Sequence, residues 1–141
     1  MILDDIWMEK ALALAQKGQK AGEVPVGALV VLNNEMIGIG YNCPISSCDP
    51  TAHAEMRALK KAAKTLENYR LTGCTLYVTL EPCLMCLGAM MHARVGRLVF
   101  GAYDPKEGVV RKLPHRIKYT GGVLEDDCSK ILKQFFREKR G

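Results

Sequence analysis

Hydrophobic and polar positions in the N-terminal part of the chain predict one helix followed by two strands. Apolar residues recur near helical spacing in the segment 3–20, at Leu3, Trp7, Ala11 and Leu14. This periodicity predicts an amphipathic helix that ends near Gly22. The nearly continuous β-branched run from Val24 to Leu32 predicts a strand. A second strand over Met36–Tyr41 follows an Asn33-Asn34 turn, so the two strands are expected to form a hairpin.

The rest of the chain alternates between predicted helices and predicted strands. One helix is expected over 52–66, with Asp49 or Thr51 as its N-cap, and another over 82–93, with Pro82 as its first residue. A third helix is expected over 125–139, with the apolar residues Ile131, Leu132, Phe135 and Phe136 facing inward. The strands are expected over 74–80, 95–100 and 116–120. This alternation predicts an α/β fold, with residues 1–141 forming one domain built as a three-layer α/β/α sandwich around a mixed sheet of five strands.

One predicted helix carries information about assembly. Residues 84–91 read Leu-Met-Cys-Leu-Gly-Ala-Met-Met, so this part of the helix is apolar on every side. A helix on the surface of a monomer normally carries polar residues on its outer face. We therefore expect the outer face of this helix to pack against a second subunit.

Composition and charge describe a soluble globular protein. The chain has 141 residues, 48% of them hydrophobic and 25% charged, with a net charge of +5. This mild excess fits a solvated surface about as well as a nucleic-acid footprint, although the residues after Ser129 are distinctly basic. The acidic N-terminal residues and the six cysteines favour the reducing cytoplasm over secretion, and no apolar run is long enough for a membrane helix.

Two short motifs carry the candidate chemistry. His53-Ala54-Glu55 precedes a predicted strand, and Pro82-Cys83-Leu84-Met85-Cys86 follows it. One histidine and two cysteines are the ligand types that zinc prefers, and three protein ligands leave a fourth position open for water. Cys83 and Cys86, three residues apart, lie on one face of a helix start. Glu55 is expected to transfer protons rather than bind metal, which requires that His53 and Glu55 begin their helix with non-helical geometry.

Two other interpretations of these motifs remain open. A fourth cysteine, Cys43, Cys48 or Cys74, would close the site into a structural zinc centre of a nucleic-acid-binding module. A thioredoxin-like Cys-x-x-Cys would instead be a redox site, but it leaves His53 and Glu55 unexplained. The remaining histidines, at positions 92 and 115, are expected to be structural or surface residues.

With these motifs the chain resembles the bacterial tRNA-specific adenosine deaminases, zinc enzymes of the cytidine deaminase superfamily that convert the wobble adenosine of an anticodon to inosine. The resemblance covers nearly the full length. It is carried by the segments 22–28 (GEVPVGA), 41–42 (YN), 49–55 (DPTAHAE), 68–71 (NYRL), 77–83 (YVTLEPC), 85–86 (MC), 88–90 (GAM), 100–102 (FGA), 122–124 (GVL) and 135–137 (FFR).

The resemblance implies a role for each of several residues. The family's zinc ligands match His53, Cys83 and Cys86, and its proton donor matches Glu55. The remaining matches concern the substrate: Asn42 would bind the flipped nucleoside, Val24 and Pro25 would form the wall of the base pocket, and Asp104 would contact the anticodon loop. Asn42 and Asp104 are also ordinary turn residues, and Val24-Pro25 an ordinary strand start. The family also implies a cytidine deaminase-like fold, one Zn²⁺ per chain, a homodimer and a tRNA anticodon stem-loop as partner.

One segment departs from the family pattern. Between Gly108 and His115 roughly ten residues of the family's loop are missing, and Pro114 stands where the family has asparagine. The connection to the next strand is therefore close to the dozen-residue minimum for a parallel crossover. A shortened RNA-binding loop keeps a second function open, the deamination of a free base or nucleoside such as guanine, cytosine or adenosine.

Overall fold

A computed structural model describes residues 2–140. Its central sheet has five strands in the order β2-β1-β3-β4-β5. In chain order the elements are α1 (Ile2–Lys20), β1 (Gly27–Leu32), β2 (Glu35–Tyr41), α2 (Pro44–Ser47), α3 (Ala54–Leu66), β3 (Thr75–Leu80), α4 (Leu84–Ala93), β4 (Arg97–Ala102), β5 (Lys118–Thr120) and α5 (Glu125–Arg140).

The sheet is mixed, as the alternation of elements predicted. Strand β1 pairs antiparallel with both β2 and β3, whereas β3, β4 and β5 run parallel. Asn33 and Asn34 connect β1 to β2 with positive φ angles of 51° and 64°. Positive φ at both central residues is typical of the tight turns whose twist matches that of a hairpin. The predicted hairpin is therefore confirmed.

Two apolar clusters cover the two faces of the sheet, which confirms the three-layer sandwich. Alternate residues of β1 contribute to different clusters: Val30 joins α3 and α4 on one face, and Leu29 joins α1 and α5 on the other. Phe100 of β4 is fully buried in the first cluster. Because helices pack on both faces, the central strands β1, β3 and β4 are buried on both sides rather than on alternate residues.

Helix α3 lies unusually close to strand β2, because the strand offers glycines where the two meet. A Cβ atom at Gly40 would lie 2.6 Å from the carbonyl oxygen of Ala54, and one at Gly38 would overlap the carbonyl oxygen of Ala58. Ala54 is the first residue of α3. This close approach fixes the start of α3 against the sheet.

Several predicted element boundaries were wrong by a few residues. Strand β1 begins at Gly27, not Val24, because the Val26 N–H turns back to the Val24 carbonyl oxygen and Pro25 has no N–H to donate. The predicted caps of α3 were also wrong: His53 is the N-cap, and Asp49 instead accepts hydrogen bonds from the backbone and hydroxyl of Thr51.

Two further expectations were wrong, one about α4 and one about α5, and one short helix was missed. Helix α4 begins at Leu84, so Pro82 precedes the helix. Phe136 does not face inward, because 47% of its surface is exposed, whereas Phe135 is buried. The short helix α2 was not predicted, and its four residues are too few to show a hydrophobic period.

The connection from β4 to β5 runs over residues 103–117 and contains neither a helix nor a strand. It is a parallel crossover of near-minimal length, as the sequence predicted. Among the described residues 2–140, no helix combines the length and the apolar character that a bilayer crossing needs.

Candidate metal centre

The candidate metal ligands come from the starts of two helices. His53 is the N-cap of α3, with φ −73° and ψ 154°, and Cys83 is the N-cap of α4, with φ −83° and ψ 177°. Both residues have extended backbone geometry, and their side chains contact each other instead of capping their own helices. This non-helical start is the geometry that the spacing of His53 and Glu55 required, and it places Cys86 in the first turn of α4.

The distances between the three side chains fit a tetrahedral ion. The Nδ1 atom of His53 lies 3.6 Å from the Sγ atom of Cys83 and 3.6 Å from that of Cys86. A zinc ion bound at ordinary Zn–N and Zn–S distances would separate a nitrogen from a sulfur ligand by about 3.6 Å. Among the described residues the cluster contains these three side chains and none of Cys43, Cys48 or Cys74. A closed four-ligand structural site is therefore not supported.

Of the three side chains in the cluster, only Cys83 has a pKa that favours its metal-binding form. Hydrogen bonds from Cys86 and His53 lower the pKa of Cys83 to about 3, so its thiolate is the stable form at neutral pH. The pKa of Cys86 is raised because its thiol is the donor in that hydrogen bond and is buried. The pKa of His53 is raised chiefly by its hydrogen bond to Cys83. The raised pKa values favour the protonated forms of Cys86 and His53, so a metal ion that bound beside the Cys83 thiolate would displace protons from them.

Glu55 is buried beside this cluster. Only 4% of its surface is exposed, and burial raises its pKa to about 7, further assisted by the negative charge of Cys83. A carboxyl group whose pKa is near neutrality both accepts and donates a proton under physiological conditions. The site therefore combines a candidate three-ligand metal cluster with a buried carboxyl group that is able to transfer protons.

The predicted substrate residues lie around the same edge of the sheet. Asn42 follows β2, and its Oδ1 accepts a hydrogen bond of 2.7 Å from the N–H of Ala54, while its own N–H donates to Val26. Asn42 thus joins the start of α3 to the segment that contains Val24 and Pro25. Pro25 is buried, and Val24 is half-buried against the core.

A groove of about 690 Å³ lies between the β4–β5 connection and α5. Its lining residues are Val24, Leu80, Tyr103, Asp104, Pro105, Lys106, Glu107, Leu132, Phe136 and Lys139. It contains none of the three ligating side chains, but Leu80 lies three residues before Cys83. Asp104 is on its wall, where its Oδ1 accepts from the N–H groups of Lys106 and Glu107. Asp104 therefore builds the turn that forms this wall.

Comparison with known proteins identifies the family. The model of the MafB19-like deaminases matches residues 2–140. A tRNA-specific adenosine deaminase of Haemophilus influenzae is 48% identical over 97% of this chain and 85% of its own length. A structure from studies of A-to-I editing by tRNA:A34 deaminases superimposes with a TM-score of 0.85 at 38% identity, over 89% of this chain and 98% of the other. The chain belongs to the tRNA-specific adenosine deaminase family.

The deaminase fold is shared more widely than this family. A guanine deaminase of Nitrosomonas europaea superimposes with a TM-score of 0.82, at 25% identity, over 93% of this chain and 83% of that one. The sandwich is therefore common to this chain and to an enzyme whose named substrate is guanine, so the fold alone does not identify the substrate.

Two buried carboxylates of this chain, Glu23 and Glu81, were not predicted from the sequence. Glu23 accepts hydrogen bonds from the N–H groups of Ile45 and Ser46 and from the Ser46 hydroxyl, which fixes α2 beside Val24. Glu81 accepts from the Asp104 N–H and pairs with Arg111. Both are acidic residues next to apolar strand segments, and this position in the sequence was the one signal that could have indicated a buried carboxylate. His115 is structural, as predicted: its Nδ1 accepts from the Ile117 N–H, and its Nε2 donates to Val110.

Proposed function

We propose that this protein is a zinc-dependent hydrolytic deaminase that converts adenosine to inosine at the wobble position of tRNA anticodons. The observation that carries the proposal is the three-ligand cluster with buried Glu55 beside it, within a chain of the tRNA-specific adenosine deaminase family. The two apolar clusters share one sheet, which supports a single deaminase domain over residues 1–141.

His53, Cys83 and Cys86 would hold one Zn²⁺ per chain. The 3.6 Å spacings between ligand atoms match the edges of a tetrahedron around such an ion. When bound, zinc supplies a Lewis acid that lowers the pKa of water. Metal analysis tests this assignment: we expect one zinc per chain in the wild type and in Cys48→Ala, an exposed cysteine, but none in Cys86→Ala. A fourth protein ligand in the wild-type coordination shell would contradict the catalytic role.

Glu55 moves the protons of the reaction. Water adds its oxygen to C6 of adenine, and one of its protons moves through Glu55 to N1. Glu55 then transfers the proton of the new C6 hydroxyl group to the exocyclic amino group, the C6–N bond breaks, and ammonia leaves while C6 keeps the oxygen as a carbonyl next to the protonated N1. A pKa near 7 suits both steps, because neither form of the carboxyl group is strongly favoured.

The base would be held by the residues around the cluster. Asn42 is fixed by Ala54 and Val26, so its amide is well placed to bind the nucleoside, while Val24 and Pro25 supply an apolar wall. Asp104 would contact the anticodon loop from the groove wall. A base in a loop costs less to extrude than a paired base, which makes an anticodon a suitable substrate for a recessed site.

The groove and helix α5 supply the features that a single-stranded RNA requires. Tyr103 and Phe136 are exposed aromatic side chains, and Lys106 and Lys139 are cations on the same groove. Aromatic rings stack on unpaired bases, and lysines neutralise phosphates. We therefore propose the groove as the binding surface for the anticodon loop, and the cytoplasm, where tRNA is modified and used, as the location of the enzyme.

The protein is also proposed to act as a homodimer. Helix α4 leaves Leu84 64% exposed and Met91 43% exposed, with Tyr69 exposed nearby. Large apolar side chains grouped on one surface are typical of interfaces. A second copy of the chain would cover this apolar surface.

A second candidate function is the deamination of a free base. The structural similarity to a guanine deaminase favours it, and the metal cluster would serve both reactions. Steady-state kcat/KM for an anticodon stem-loop, free adenosine, cytidine and guanine, measured side by side, decides between them. We expect the stem-loop to be the best substrate by orders of magnitude. If guanine or a free nucleoside has the higher kcat/KM, the tRNA assignment is wrong while the deaminase chemistry stands.

A further inference from the structure

The shortened β4–β5 connection is tied to the residue that precedes Pro82-Cys83. The Glu81 side chain is fully buried, with 0% of its surface exposed, at the end of β3. Its Oε1 accepts hydrogen bonds from the Asp104 N–H at 3.1 Å and from Arg111 Nη2 at 3.0 Å. Its Oε2 accepts a longer one from Arg111 Nε at 3.4 Å. One buried carboxylate therefore holds both ends of the segment 104–111.

The same segment is packed against the β3–α4 junction along its length. The Val109 N–H donates to the Pro82 carbonyl oxygen, and the Gly108 N–H donates to the Asp104 carbonyl oxygen. A Cβ atom at Gly108 would lie 2.5 Å from the Glu81 carboxyl group, so only glycine allows this contact. The segment thus forms a compact turn with its inner side on Glu81.

Arg111 closes the turn from the outside. Its guanidinium group lies 4.6 Å from the centre of the Tyr103 ring while it pairs with Glu81. A planar guanidinium group makes both contacts at once, which an ammonium group does not. Tyr103 lines the groove, and so do Asp104 and Lys106. Arg111 is therefore the side chain that connects the groove wall to the buried carboxylate.

We propose that Arg111 is a positioning residue for RNA binding, which holds the groove wall of Tyr103, Asp104 and Lys106 in place in a connection too short to fold on its own. The inference rests on the proposed function, because the ligand of the groove is taken to be the anticodon loop. Arg111 is outside the lining of the groove and acts through Tyr103 and Glu81. Without it, Glu81 keeps one backbone donor and loses its cation, so the segment 104–111 is released from one of its two ends.

The test compares two substitutions that each remove one positive charge at neighbouring positions. Arg111→Met removes the guanidinium group, and Lys112→Met removes an exposed lysine whose Nζ donates a hydrogen bond to the Pro105 carbonyl oxygen but does not pair with Glu81. For an anticodon stem-loop we expect Arg111→Met to raise KM roughly tenfold, which corresponds to about 1.4 kcal/mol, with kcat within about threefold of wild type. Lys112→Met should change KM less than about twofold. Arg111→Lys should fall between the two, because it restores the charge without the planar stacking.

Amide hydrogen exchange in the free protein tests, without RNA, whether Arg111 fixes the segment 104–111. Gly108 and Val109 should exchange faster in Arg111→Met than in Lys112→Met, at equal zinc content. Equal exchange and equal KM in the two variants would overturn the inference, as would a loss of zinc or of kcat with unchanged KM. If the wild type does not deaminate the stem-loop, the proposed function fails first, and the exchange comparison still decides whether Arg111 fixes the segment.

Discussion

At the scale of single residues, Glu55 shows how the fold makes an ordinary side chain reactive. An exposed glutamate is ionised at neutral pH, whereas Glu55 is buried among the ligating side chains and its pKa is raised to about 7. Burial normally penalises a carboxylate, and here the nearby thiolate adds to that penalty. The structural cost of burying Glu55 is thus connected directly to the proton transfers proposed for it.

Glu55→Gln tests that role. The amide keeps the size of the side chain but neither accepts nor donates the reaction's protons. We expect zinc content and thermal stability to stay close to wild type while kcat falls by about 10²- to 10⁴-fold. Glu9→Gln, an exposed change on α1, serves as control. Turnover within a few-fold of wild type would remove Glu55 from the mechanism.

A second residue-scale prediction concerns Asp4, which is buried at the start of α1. Its carboxylate accepts hydrogen bonds from Arg97 and the Tyr77 hydroxyl. The Arg97 hydrogen bonds lower the pKa of Asp4 below its ordinary value of 3.8, although burial opposes them. Because the folded pKa is the lower one, the stabilisation is complete at neutral pH and is lost as the pH falls below 3.8.

Asp4→Asn should therefore reduce the free energy of unfolding by about 2 kcal/mol at pH 7. The difference from wild type should shrink as the pH falls below the ordinary pKa, because Asp4 of the unfolded wild-type chain then binds a proton that the folded chain does not yet bind, which favours unfolding. Urea unfolding at a series of pH values measures it, with the exposed neighbour Asp5→Asn as control. A difference that stays constant down to pH 3 would contradict the assignment.

At the scale of elements, sequence reasoning found every helix and strand of the described residues except α2 and misplaced several of their ends. Hydrophobic period revealed α3 and β3, because their apolar faces are long enough to show it. The ends depend on single hydrogen bonds. Helix α3 begins after His53 because the side chain of Asn42 accepts a hydrogen bond from the N–H of Ala54, which lies twelve positions later in the sequence. The folded hairpin brings this hydrogen-bond acceptor close to α3, and no local sequence pattern around α3 reveals it.

Helix α5 carries an element-scale prediction about RNA. Lys139 lines the groove, with its Nζ 5.7 Å from the centre of the Phe135 ring, whereas Lys130 of the same helix lies outside the groove. Lys139→Gln should weaken stem-loop binding and reduce the slope of log Kd against log salt by about 1, because one phosphate contact is lost. Lys130→Gln should leave the slope unchanged. Equal slopes in both variants would make α5 an ordinary solvated helix.

At the scale of the whole molecule, the layered architecture was predictable and the connections across it were not. Alternating helices and strands imply a sheet with helices packed on both faces. The His-x-Glu and Pro-Cys-x-x-Cys motifs imply that the candidate metal ligands meet at one edge of this sheet. Glu23 and Glu81 were missed because each binds donors that lie more than twenty residues away in sequence. A carboxylate of this kind is recognisable only when the tertiary structure has placed its donors.

The proposed dimer leads to a prediction about assembly. Met91→Glu puts a charge on the apolar surface of α4, where a partner would have to bury it. We expect this variant to sediment as a monomer of about 16 kDa while keeping its zinc and its fold. Ile45→Glu, a change at an exposed apolar residue of α2, should leave the assembly unchanged. A wild type that sediments as a monomer would refute the dimer.

The candidate metal ligands lie at two separate helix starts, which has a consequence for the life of the protein in the cell. His53 and Cys83 are thirty residues apart in sequence and are brought together by the folded sheet, in which β1 pairs with β3. An unfolded chain does not hold these two side chains together, so tight binding of the proposed zinc ion requires the folded sheet. Because the ion prefers the folded chain, its binding energy adds to folding stability. Zinc shortage would then lower the amount of enzyme that escapes proteolysis, and not only the activity of each molecule.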